Sequence, residues 1–140
     1  MTDAPRVRAC SYFEDAEIGA EHETPSMTVT ETHVALYTGV TGDAAPERGI
    51  APEVLALCLA TGLGWRIPRP PLVVLAFMGI EWKILKPVRV GDTIHGVSRT
   101  AVKRGMREAG VVIEDHSIVD QRGETLQQGR FTFLVARRPV

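Results

Sequence analysis

Residues 51–65 read APEVLALCLATGLGW, and this run decides the fold. Pro52 suits the first turn of a helix, where its missing N–H leaves no bond unmade. Val54, Leu55, Leu57, Cys58, Leu59 and Leu63 then cover nearly every side of the helix that follows. A helix apolar all round belongs in the interior of a domain. The downstream sequence supplies something to surround it. Residues 73–85 read as a long strand in which Ile80, Trp82 and Ile84 alternate with Glu81 and Lys83. Residues 87–92 read as a turn, 93–103 as a second strand, and 104–110 as a hairpin connection into a third strand, 111–119. Residues 120–123 turn again into 124–136, where Phe131, Phe133 and Val135 share one face. Four strands joined by hairpin-length turns predict an antiparallel sheet. With the helix at its centre, the fold class is α+β.

Upstream, residues 23–29 read as a first strand carrying Met27 and Val29 on one face. Residues 30–42 read as a short helix, capped by Thr28 or Thr30, with Val34, Tyr37 and Thr41 at helical spacing and Gly42 at its end. Residues 12–19 lead in, and residues 1–10 read as a loose arm, so that a single domain is expected over residues 11–138. A chain of 140 residues is one domain in length. It buries enough surface to fold without a disulfide or a structural metal.

Composition narrows the function. Hydrophobic residues make up 44% and charged residues 24%, the balance of an ordinary soluble protein. A net charge of -1 offers no basic excess for nucleic acid. Lys103, Arg104 and Arg107 cluster, but Glu108 sits among them, and the run reads as a solvated turn. Cys10 and Cys58 lie too far apart in sequence to suggest a metal site or a disulfide framework, which makes a reducing cytoplasm the default. Cys58, inside an apolar run, is expected to be buried. The first ten residues carry Asp3, Arg6 and Arg8 and no apolar core, so no secretory signal is expected. The apolar run from Leu72 to Ile80 is well short of the roughly 20 residues of a membrane span, so no membrane partner is expected either.

Four stretches, taken in order, resemble the MaoC-like dehydratase family. They are Tyr12-Phe13-Glu14-Asp15 through Ile18-Gly19; Val29-Thr30-Glu31 into Thr41-Gly42-Asp43; Gly79-Ile80-Glu81-Trp82-Lys83 followed by Pro87-Val88-Arg89-Val90-Gly91-Asp92-Thr93-Ile94; and Asp120-Gln121-Arg122-Gly123-Glu124. Each alone is weakly specific; their order, over about residues 11–138, is not. The resemblance implies the hot-dog fold, an antiparallel sheet wrapped around a central helix. It also implies the substrate class of the (R)-specific enoyl-CoA hydratases: an acyl-CoA or acyl-carrier thioester, bound without a cofactor or metal. Partners implied in the same way are a second copy of the chain or another hot-dog subunit, with the acyl channel between the two.

The resemblance breaks at the residues that would do the chemistry. Family members carry Gly-Asp-x-Asn-Pro-x-His after the first helix, and the Asp and His act on water and thioester. Hydration of a 2-enoyl thioester needs one proton taken from water and one delivered at the α carbon. A backbone N–H at the start of the central helix holds the developing enolate oxygen. Here the loop reads Gly42-Asp43-Ala44-Ala45-Pro46-Glu47-Arg48-Gly49-Ile50-Ala51-Pro52-Glu53. Asp43 and Pro46 match, Ala45 replaces Asn, and the His is gone, whether Arg48 takes its place or a dozen residues are deleted. Gly49-Ile50-Ala51-Pro52 resembles the start of the central helix, and Glu53 stands where the family has the glycine whose amide faces the thioester oxygen.

Asp43 and Glu53 are therefore the candidate catalytic residues, and Arg48 and Ala51 the candidate substrate-binding ones. Ten residues of loop are expected to bring the two carboxylates toward one mouth of the fold. Asp43 has a simpler alternative role, a local hydrogen bond serving the turn; Arg48 is a candidate ion-pair partner for it. His33 lies ten residues before Asp43, about 15 Å along a helix axis, too far to replace the missing His. His22, His95 and His116 fall on strands or their edges and read as surface or structurally satisfied residues. Three functions stay open: a hydratase or dehydratase with an altered acid–base set, a non-catalytic subunit of a heteromeric hydratase, or a thioesterase using Glu53.

Overall fold

The computed structural model describes residues 9–140, so the arm expected over residues 1–10 lies almost wholly outside the described residues. A 3₁₀ turn (Phe13–Asp15) leads into β1 (Glu21–Glu23), β2 (Met27–Thr28), α1 (Glu31–Thr41), α2 (Glu53–Gly64), β3 (Val74–Ile84), β4 (Thr93–Gly105), β5 (Ala109–Val119) and β6 (Thr125–Ala136). The strands form one antiparallel sheet in the order β1-β4-β5-β6-β3, with β2 also paired to β4. α2 packs against the inner face at β4 and β5.

Local chemistry explains the boundaries. Thr30 caps α1 by accepting the His33 amide at 3.3 Å, and His33 Nδ1 accepts the Thr30 amide at 3.0 Å. Gly42 ends the helix in the left-handed region, at φ +73°, where a side chain is strained. At the last hairpin the buried Asp120 carboxylate accepts the amides of Arg122 and Glu124, both at 2.9 Å.

Three expectations need correction. The strand expected over residues 23–29 is two short pieces, because Pro25 has no N–H to give the ladder. Thr24 bridges the break: its amide donates to the Gly96 carbonyl at 2.9 Å, and its Oγ1 accepts the Gly96 amide at 2.8 Å. β3 and β4 are not a hairpin, since β3 pairs with β6 at the far edge of the sheet. The connecting residues cross the end of the fold instead. They are held there by Ala51 N–H to Val88 O at 2.8 Å, Val90 N–H to Gly49 O at 2.9 Å and Gly91 N–H to Val29 O at 2.7 Å.

The third correction concerns α2, which buries only one side. Leu55, Ala56 and Leu63 are covered, while Val54, Cys58, Thr61 and Trp65 are exposed. Cys58 is thus exposed, not buried. A single sheet covers one face of a helix, and an apolar residue on the other face stays in water until something else covers it.

Two apolar clusters make the core. One joins Val29, Ala51, Leu55, Val88, Ile94 and Ile118 beneath the start of α2. The other joins Phe13, Val112 and Val135 at the opposite end. Phe13 lies flat over Gly110, where an added Cβ would come within 2.1 Å of its ring. Lys103 and Arg137 stack their charges over the same ring, at 4.6 Å and 5.1 Å from its centre. Gly110→Ala should therefore displace Phe13 and cost about 1–3 kcal/mol, as overpacking does. A thermal melt indistinguishable from the wild type would contradict this packing.

Candidate functional site

Side chains alternate along β5, so Val112, Glu114, His116 and Ile118 share its inner face. Val112 and Ile118 belong to the two apolar clusters, and the ionisable pair lies between them. Strand register sets His22, Ser98, His116, Gly129 and Trp82 in a row across the sheet. Ser98, Glu114, His116 and Trp82 line a cavity of about 310 Å³, whose other walls include the Ala60–Trp65 end of α2 and the rings of Phe77 and Phe131.

The polar groups in this cavity are held in place. Glu114 is 6% exposed; its Oε1 lies 3.0 Å from His116 Nε2, and its Oε2 lies 4.0 Å from the Arg69 guanidinium. The His116 imidazole stacks on Phe131, with ring centres 4.0 Å apart and planes at 25°. A carboxylate at Nε2 favours the proton on that nitrogen and leaves Nδ1 as an acceptor. Neither Nδ1 of His116 nor Oγ of Ser98 is hydrogen-bonded among the described residues. Trp82 donates its indole N–H to Gln127 Oε1 at 2.9 Å, and Gln127 donates in turn to the Glu53 carbonyl at 2.9 Å. That chain fixes one cavity wall to the first turn of α2. Among the described residues no three of His, Cys, Asp and Glu come together as a metal site.

His22 faces an adjoining cleft with Arg69 and Thr100. Burial holds its imidazole below the usual pKa, and the Arg69 charge adds to this, while Glu114 opposes. The folded chain therefore keeps His22 neutral to lower pH than the unfolded chain does. The stability this provides is present above the ordinary imidazole pKa of about 6.5 and is lost as pH falls below it. Melting temperatures taken from pH 7 to pH 5 should fall less for His22→Gln than for the wild type. Parallel curves would contradict the assignment.

The loop residues singled out from sequence lie elsewhere. Asp43 is held locally: Oδ1 accepts the Ala44 amide at 2.9 Å, Oδ2 accepts the Tyr37 hydroxyl at 3.2 Å, and its amide donates to Thr41 Oγ1 at 3.1 Å. Burial and the Asp43 carboxylate together raise the Tyr37 pKa, so the phenol stays a donor. Glu53 lines a different cleft, of about 300 Å³, with Pro46, Glu47, Lys86 and Arg89. No hydrogen bond joins Asp43 to Glu53, and Asp43 lines neither this cleft nor the cavity. Arg48 is exposed and forms no ion pair with Asp43. Ala51 is buried, and its amide is engaged by the Val88 carbonyl.

His116 is a structurally satisfied strand histidine, as expected, paired with Glu114 and stacked on Phe131; its place in the cavity wall is the feature not expected. The signal was present in Val112-Ile113-Glu114-Asp115-His116-Ser117-Ile118. Strict alternation puts Glu114 and His116 in the same register as Val112 and Ile118, on the face that must be buried. Two ionisable residues at core positions two apart are a pairing signal.

No family model matches the chain, and no curated protein matches it in sequence. Solved structures do. A monoamine oxidase regulatory protein from Archaeoglobus is 29% identical with a TM-score of 0.85, over 94% of this chain and 98% of that one. A MaoC-like dehydratase from Rhodospirillum rubrum is 17% identical with a TM-score of 0.80, over 93% and 99%. The (R)-hydratase PhaJ1 of Pseudomonas aeruginosa is 17% identical with a TM-score of 0.73, over 91% and 86%. A double hot-dog protein and the HadBC (3R)-hydroxyacyl-ACP dehydratase complex, both from Mycobacterium tuberculosis, also match. The fold is the hot-dog fold, and its neighbours are MaoC-like dehydratases and (R)-hydratases, as the sequence resemblance implied.

Proposed function

We propose that this chain binds an acyl-CoA or acyl-carrier thioester and descends from hydratases of the MaoC-like lineage, with a degenerate proton-transfer site in the loop after α1. The observation that carries the reading is the 310 Å³ cavity between α2 and the sheet, apolar apart from a few fixed polar groups. That size and character suit a small-molecule site. One structural neighbour is named a 3R-hydroxyacyl-ACP dehydratase, which supports an acyl-carrier ligand, and two others are named a dehydratase and a hydratase. The degeneracy rests on the loop itself: Asp43 has no histidine after it in the loop, and its carboxylate is occupied by Tyr37 and Ala44. The ligand is bound without cofactor or metal. The cytoplasm is the proposed compartment, on the two distant cysteines alone.

Substitution at the two loop carboxylates separates the readings. With several acyl-CoA esters as substrates, Asp43→Asn should do the greater damage if residual hydratase chemistry survives. Glu53→Gln should abolish release of free CoA if the second cleft is a thioesterase site, a reading favoured only by the place of Glu53 among Lys86 and Arg89. In a non-catalytic subunit neither change should alter ligand binding, or a partner's activity, more than a few-fold. Equal and complete loss from both, with folding preserved, would contradict all three.

The partner proposed first is a second copy. β3 is an edge strand, and Leu75, Phe77, Met78 and Ile80 on it are 41–57% exposed. On α2, Val54 adds to this surface, 46% exposed. So much exposed apolar surface around an open strand edge marks an interface. The double hot-dog neighbour and the HadBC complex are paired forms of the same fold. Light scattering at micromolar concentration should find a species of twice 15.3 kDa. A 15.3 kDa species alone would contradict self-association and leave a different hot-dog subunit as the partner.

A further inference from the structure

We infer that the cavity selects a ligand whose apolar chain carries a hydroxyl group, which Ser98 and His116 hydrogen-bond deep under the C-terminal half of α2. The inference rests on the acyl-thioester reading only for the head of the ligand, since the selection is a property of its tail. Most of the cavity wall is apolar, including Leu72, Phe77, Phe131 and Phe133, and suits hydrocarbon. Its floor does not: Glu114 and Arg69 face each other there, and His116 Nδ1 and Ser98 Oγ have no hydrogen-bond partner among the described residues. Plain hydrocarbon would seal these groups from water and leave them unpaired, which is costly.

The charges also exclude other polar tails. A carboxylate would meet Glu114, 6% exposed and already committed to His116, and an ammonium would meet Arg69. A neutral group that both donates and accepts fits: its O–H donates to His116 Nδ1, and its oxygen accepts from the Ser98 hydroxyl. Cross-strand register places Ser98 directly opposite His116, so one hydroxyl reaches both. With the thioester at the start of α2, where the resemblance places it, the hydroxyl is not next to it. The cavity meets α2 at Ala60–Trp65, seven or more residues from Glu53, which is roughly 10 Å along the helix.

Trp65 and Trp82, the chain's two tryptophans, line the cavity and report occupancy by fluorescence. Two matched pairs of probes are titrated: 8-hydroxyoctanoyl-CoA against octanoyl-CoA, and 1-octanol against 1-methoxyoctane, which has lost the donor. In the wild type the hydroxylated member of each pair should bind at least tenfold more tightly. Ser98→Ala, and separately the double substitution Glu114→Leu/His116→Val, should cut that preference to within threefold. Folding of both variants is checked by circular dichroism and thermal melting, and the readout is the ratio of affinities within each pair, which a general loss of binding would not move. Equal or tighter wild-type binding of octanoyl-CoA and of 1-methoxyoctane overturns the inference. If neither CoA ester binds but 1-octanol is still preferred, the thioester reading fails and the hydroxyl selection stands.

Discussion

Alone in solution, the protein is expected to hydrate crotonyl-CoA far below the ~10 s⁻¹ of a typical enzyme, or not measurably. Three observations lead to this. The loop after α1 carries no histidine, so the proton that water must lose has no partner group beside Asp43. Asp43 itself is taken up by Tyr37, Ala44 and Thr41 as a helix-end turn. Glu53 stands where the resemblance puts a glycine facing the thioester oxygen, and its carboxylate adds negative charge at the first turn of α2. Loss of one general acid–base group typically costs 10²–10⁴ in rate, roughly 3–5 kcal/mol of barrier. Turnover above ~10 s⁻¹ would contradict the degenerate-site reading and point to Glu114–His116 as a replacement pair.

The second large effect is on stability. Replacing His116 by Val should destabilise the fold by about 3 kcal/mol, because it removes the imidazole 3.0 Å from a carboxylate only 6% exposed. Arg69, at 4.0 Å and a third exposed, is too distant to compensate fully. The double substitution Glu114→Leu/His116→Val should recover most of that loss, since replacing both members of a buried pair by apolar groups is often close to neutral. At roughly 3 °C per kcal/mol the single variant should melt about 10 °C below the wild type. If the double variant melts as low as the single one, Glu114 is not a carboxylate stranded by the loss of its partner.

Much of the fold was legible because local signals agreed with the global one. Pro52 and Gly42 bound the helices, alternation marked β3 to β6, and Asp120 to Gly123 closed a hairpin as expected. The pairing of β3 was not legible. Hairpin-length spacing suggests a neighbour in sequence, whereas the partner is chosen by backbone bonds from residues 88–91 to Val29, Gly49 and Ala51, which no local pattern encodes. The exposed face of α2 was hidden for a related reason. An apolar stripe reads the same whether this chain or another covers it, and Cys58 and Trp65 carry no mark of which. At the site, the residues that match the family motif lie at Asp43 and not on β5. The Glu114–His116 pair needed the sheet's inner face to be known before two polar residues at core positions could stand out.

An acyl-thioester site in the cavity beneath α2 should bind the acyl ester and discriminate it from CoA alone. Isothermal titration of the folded protein with octanoyl-CoA, with CoA alone as the reference ligand, tests it most directly. Saturable binding of the acyl ester at least tenfold tighter than CoA is expected, weakened when Phe77→Asp places a charge in the apolar wall. Indistinguishable isotherms for octanoyl-CoA and CoA, or binding of the ester that Phe77→Asp leaves unchanged, would contradict it.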